Sequence, residues 1–171
     1  PGGRDHIRVS IGPELRHCAA MNLRIIRAGA LLAINLLFLS VWGFAGIGKV
    51  VNGMPSWFPG KFGKTSLGTF PGLAVTFWVL ALSELLALTL GVAALARLEF
   101  LARKPATFLQ AMLAWSLFVF VQLGFGQWLT NEFNGAFQHF MYFSGTLLAL
   151  QFAMQRHDQQ FPGRLPDGRA A

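Results

Sequence analysis

The chain has 171 residues, 54% of them hydrophobic and 12% charged. Its mean hydropathy of +0.50 is too high for a soluble domain of ordinary composition, so one membrane domain is the economical reading. The net charge of +7 does not indicate nucleic acid, because the basic residues flank apolar segments, where membrane orientation accounts for them. Cys18 is the single cysteine, which excludes an internal disulfide, a CxxC redox pair and a thiolate metal cage.

In chain order, residues 1–24 read as a polar N-terminal extension, residues 25–154 as a transmembrane domain and residues 155–171 as a polar tail. Residues 1–20 lack helical apolar periodicity and are expected to be loosely ordered or held by a partner. Met21 opens the short basic lead NLRIIRAGALLAINLLFL, which leaves open whether residues 1–20 are an upstream extension or processed remnant. The apolar run 28–48 is about twice a signal-peptide core, so it is expected to be a retained first span. Asn35, Trp42 and Lys49 recur at intervals of seven along it, predicting one helical stripe.

The loop KVVNGMPSWFPGKFGKTSLGTF carries Pro55, Pro59 and several glycines, so no long regular helix is expected there. Its Trp57, Phe58, Phe62 and Phe70 suit the headgroup layer, predicting an interfacial loop folded back on the helices. Residues 71–95, PGLAVTFWVLALSELLALTLGVAAL, are long enough to cross the ~30 Å hydrocarbon layer. Glu84 lies near their middle, about 18 Å in from Gly72 along a straight helix. A carboxylate at that depth is costly unless it is protonated, paired or turned to a protected interior. With no cation expected at its level, Glu84 is predicted to be neutral and to point towards the Asn35 stripe. A structural role and a proton-handling or ligand-binding role both stay open for it. Ser83, Ala87 and Gly91 recur every four residues, a small-residue stripe for close helix packing.

A basic loop leads to a third span, 108–129, with Gln110, Gln122 and Gln127. A short turn holding Glu132 leads to a fourth, 136–154, with Gln138, His139 and Gln151. The predicted fold is therefore an all-α, antiparallel four-helix membrane bundle with a long aromatic, Pro- and Gly-containing loop between its first two helices. Eleven Lys and Arg on one side against three on the other put both termini in the cytoplasm. Lys49, Gln127, Trp128, Glu132 and His139 should then gather near the outer surface, with Glu132 and Asn35 as structural polar groups. His139 with Glu132 is too sparse for zinc, and His157 lies about 27 Å further along the helix, too far to share a haem iron. No metal and no cofactor bound by this chain alone are expected. Lys49 is an interfacial anchor or, with Lys61 and Lys64, an anion site.

The Gly48-Lys49 pair closing the first helix, the Ser83-Glu84-Leu85-Leu86 motif in the second with Gly91 after it, and the basic loop beyond resemble the DoxX family of small four-helix membrane proteins, over residues 24–153. The resemblance implies a membrane subunit close to quinone or thiol redox chemistry, in the bacterial inner membrane, with other membrane subunits or further copies of itself as partners. On that reading the chain is an accessory or small catalytic subunit of a quinone-linked oxidoreductase. Lys49, Gln122, Gln127, Trp128 and His139 would contact a quinone headgroup, and Glu84 would handle protons. Two alternatives stand beside it, a structural subunit that fills a seam in a larger complex and a small proton-coupled transporter.

Overall fold

A computed structural model of the chain describes residues 13–101 and 104–160, with side chains over 21–101 and 104–155. Every regular element among them is helical. Helix α1 (Pro13–Trp42) runs through a π-helical turn (Gly43–Ile47) into α2 (Gly48–Asn52). Two short helices, α3 (Trp57–Phe62) and α4 (Ser66–Thr69), occupy the first loop, and α5 (Leu73–Ala96), α6 (Thr107–Leu129) and α7 (Phe133–Gln160) complete the chain.

Among the described residues, three helical stretches are long and apolar enough to cross a membrane: Met21–Asn52, Leu73–Ala96 and Thr107–Leu129. Helix α7 is not among them, since Asn134, Gln138, His139, Gln151 and its polar last turn dilute its hydropathy. Each long helix packs against its predecessor. Cross-contacts join them in turn: Asn35 of α1 meets Gly91 of α5, Trp115 of α6 bonds Ser83 of α5, and Gln110 of α6 bonds Ala153 of α7. Arg27 of α1 also reaches α7, donating to the Phe152 carbonyl at 3.3 Å.

The main core runs between these helices and includes Leu31, Phe38, Trp42, Leu109, Met112, Leu113 and Val119. The small stripe lies inside it, with Ser83, Ala87 and Gly91 all buried. A Cβ on Gly91 would stand 2.8 Å from Met112 Sδ and 3.0 Å from Leu39 Cδ2, so α1 and α6 approach α5 closely only because nothing larger than hydrogen is present there.

Helices α1 and α7 both extend beyond the apolar runs of the sequence. Helix α1 starts at Pro13, ahead of the apolar run 28–48, because extending a nucleated helix costs little and proline is well suited to a first turn. Residues 1–12 of the predicted extension lie outside the described residues. At the other end α7 continues through Gln160, beyond the tail boundary expected at 155, and residues 161–171 also lie outside the described residues. The first loop contains no long helix, but its backbone is largely helical in short pieces. Gly53 at φ 67° and Gly72 at φ 97° provide the left-handed turns that end α2 and launch α5.

The aromatic residues of that loop divide. Trp57 and Phe70 are exposed, whereas Phe58 and Phe62 are buried with Phe77 in a second, smaller core. Phe58 meets Phe62 at 4.7 Å and the edge of Phe77 at 5.6 Å between centroids. Phe58 and Phe62 thus face protein: the i, i+4 spacing puts both rings on one face of α3, which docks on α5.

Candidate functional site

Where α1 ends, the π turn brings its backbone against α5. A Cβ on Gly46 would lie 3.2 Å from Leu85 Cδ2 and 3.3 Å from Leu85 N, a spacing that glycine alone accommodates without displacement. A π turn carries an extra residue relative to an α turn, and such turns often mark functional positions. Along the predicted Asn35–Trp42–Lys49 stripe, Asn35 and Lys49 meet α5 and Trp42 meets α6. Trp42 Nε1 donates to Ser116 Oγ of α6 at 2.9 Å, whereas Lys49 faces α5.

Lys49 Nζ lies 2.8 Å from Glu84 Oε1 and 2.7 Å from Oε2, bridging both carboxylate oxygens. Glu84 is 1% exposed and the Lys49 side chain 26%. The expectation that Glu84 has no cation at its level is corrected here: Lys49 reaches the acid across 35 residues of sequence. The pair then resolves the cost of burying either charge, provided both stay present. Glu84 also does not meet Asn35. With its amide nitrogen turned to Gly91 O (3.2 Å) and its oxygen to Leu95 N (3.3 Å), Asn35 is satisfied by α5 backbone two turns further on.

Beside this pair opens a cavity of about 410 Å³ between the π turn, α3, α5 and α6. Phe44, Phe58, Phe62, Phe77, Leu80 and Leu123 provide apolar wall, and Lys49, Lys61 and Gln127 the principal polar groups. Lys61, carried by α3, pairs with Glu132 Oε2 at 2.9 Å and donates to Gln127 Oε1 at 3.3 Å, fastening the loop across the α6–α7 turn. An ammonium has three N–H donors. Two of Lys49's are taken by Glu84 and two of Lys61's by Glu132 and Gln127, which leaves one on each to serve a ligand.

The candidate residues read from the sequence thus separate into three places. Lys49 and Gln127 line the cavity. Gln122 lies in the α5–α6 seam, where its Nε2 approaches Ser83 Oγ at 3.4 Å. Trp128 and His139 line a shallow groove on the outer α6–α7 face with Phe120, Phe125 and Phe140. His139 Nδ1 is engaged with the Gly135 carbonyl of its own helix at 2.7 Å, and Trp128 is 61% exposed. Sequence reasoning grouped Lys61 with Lys49 and Lys64 as an alternative anion site, did not anticipate its pairing with Glu132, and missed the Phe58, Phe62 and Phe77 wall; the i, i+4 aromatic pair in WFPGKF was the available signal.

Among the described residues no three His, Cys, Asp or Glu side chains gather as a metal site. On the side of the basic loop, Glu99 is buried and accepts from the Phe108 and Leu109 amides at 3.1 and 2.9 Å. It satisfies free N–H groups at the start of α6 and so acts as a helix cap. No family model matches the chain, and no curated protein or solved structure is similar to it.

Proposed function

We propose that the chain is a DoxX-like accessory subunit of a quinone-linked redox complex, with the cavity beneath the first loop as the headgroup site. The observation that carries this reading is the Lys49–Glu84 pair opening onto an apolar cavity of about 410 Å³, within the range of about 300–1,000 Å³ typical of ligand pockets. A quinone headgroup is flat, apolar and bears carbonyl oxygens that only accept hydrogen bonds. The aromatic walls fit the ring, and the spare N–H groups of Lys49 and Lys61 fit its oxygens. A bound quinone would supply electron and proton uptake at its oxygens. The chain's own residues would hold and orient it, with Glu84 stationed behind Lys49 as the nearest carboxyl group to relay protons towards it. Electrons would come from a partner subunit, since the single Cys18 offers no dithiol.

On this reading α7 forms a fourth span, and both termini face the cytoplasm of a bacterial inner membrane, as the distribution of Lys and Arg favours. A cysteine probe placed at Asn134 should react from outside the cell. One at Gly168 should react only after permeabilisation, and the reverse pattern would invert the orientation. The functional test is purification in mild detergent followed by extraction and quantification of bound quinone. Quinone and partner subunits should copurify, and Lys49→Met should lose the quinone; a quinone-free, solitary wild-type monomer would overturn the proposal.

A second reading, a purely structural subunit, draws on the exposed row of Phe133, Phe137 and Phe140 along α7, a face suited to a neighbouring helix. It predicts intact complex assembly with no quinone attached to this chain.

A further inference from the structure

Two lysines lining one partly enclosed cavity would ordinarily define an anion site, and the pairing of charges around this cavity argues the opposite. Lys49 is matched by Glu84 at 2.7 Å and Lys61 by Glu132 at 2.9 Å, so the four groups sum to zero. The remaining polar wall, chiefly Gln127 and Thr76, is uncharged. Lys64 does not line the cavity and is exposed. An anion entering here would leave water for apolar walls without a net positive charge to receive it, since each lysine at the wall is already paired with a carboxylate. An uncharged acceptor pays far less to desolvate and still receives the spare N–H of each lysine.

We infer that the cavity selects an uncharged, acceptor-only ligand and rejects anions, with Glu84 and Glu132 as the residues that set this specificity by cancelling Lys49 and Lys61. The inference rests on the cavity being the ligand site proposed above. Glu132 is the better handle for testing it. Its side chain is 53% exposed, so Glu132→Gln removes a charge without emptying the interior, whereas altering Glu84 endangers folding.

The experiment uses the full chain in zwitterionic phosphatidylcholine nanodiscs at low ionic strength, where charges are screened only over about 30 Å. The two probes are a short-chain alkyl benzoquinone and an alkyl sulfonate of the same chain length, each corrected for uptake by empty nanodiscs. Wild-type protein should bind the quinone at least about tenfold more tightly than the sulfonate. Glu132→Gln, which unmasks Lys61, should shift the affinity ratio towards the sulfonate by about three- to fivefold, the scale of a partly exposed charge pair. The double variant Lys61→Gln with Glu132→Gln removes both charges and should restore the ratio to within about twofold of wild type. Quinone binding combined with an unmoved ratio in Glu132→Gln, or with equal or tighter sulfonate binding by the wild type, would overturn the charge-cancelling selectivity and leave the quinone site standing. Binding of neither probe would overturn both.

Discussion

The seam between α1 and α5 and the outer face of α6 and α7 are both apolar surfaces studded with polar residues, yet they use those residues differently. At the seam polar groups bond across helices: Lys49 to Glu84, Asn35 to the α5 backbone, and on α6 Trp115 Nε1 to the Ser83 carbonyl at 3.0 Å. On α7 they bond backwards into their own helix, His139 to Gly135, Ser144 to Phe140 and Thr146 to Tyr142. A cross-helix bond fixes which residues face one another. A bond within one turn satisfies the polar group and says nothing about neighbours. Register in this protein is therefore set mainly at the α1–α5 seam, while the α6–α7 pair is held by its short turn, by broad apolar contact and by the cross-helix bond from Gln110 to the Ala153 carbonyl.

The sharpest way to break that contrast is to remove one member of the buried pair. Glu84→Leu leaves the Lys49 ammonium unpaired in the seam and should cost about 3–5 kcal/mol, read as a fall in thermal stability in detergent micelles. Adding Lys49→Met should recover most of the loss, because the two changes are coupled; an additive double variant would show that the pair does not hold the seam.

Glycines give the next comparison. Gly91→Val must displace Met112 and Leu39 and should destabilise by about 1–3 kcal/mol. A Cβ on Gly145 of α7 meets nothing within 4 Å, so Gly145→Ala should be neutral or stabilising by up to about 1 kcal/mol through helix propensity alone. Equal losses at both sites would erase the distinction between seam and face.

Smaller still is Trp42→Phe, which deletes the bond to Ser116 but keeps the ring packed 5.1 Å from Phe120; about 0.5–1.5 kcal/mol should be lost. His139→Leu should change stability by less than about 0.5 kcal/mol, since the Gly135 carbonyl it leaves belongs to a continuing helix. It should also leave quinone retention unchanged, because His139 faces the groove and not the cavity. Loss of quinone in His139→Leu would place the headgroup on the α6–α7 face instead.

Some of this was legible without coordinates. The apolar runs announced membrane-length helices, and the Ser83, Ala87 and Gly91 repeat announced a close-packed face, because both signals are written in neighbouring residues. Glu84 was legible as an exception that needed an explanation. Its partner was not, since Lys49 closes an apolar run where lysine commonly anchors to the interface, and its reach to mid-helix depends on a π turn that no composition rule reveals. Phe58 and Phe62 likewise carried the aromatic signature of a headgroup loop, and only the docking of α3 on α5 made them core.

The sequence by itself determined the all-helical class, the apolar lengths of three helices and the alternation of polar turns between them, because hydropathy and helix propensity act over a few consecutive residues. The tertiary structure alone decided that Lys49 answers Glu84, that Lys61 answers Glu132, and that these pairs border one cavity while Trp128 and His139 border another surface. Those outcomes depend on how far one helix rotates before meeting the next. That rotation is set by the π turn at Gly43–Ile47 and by the contact at Gly46, through side chains dozens of residues apart in the chain.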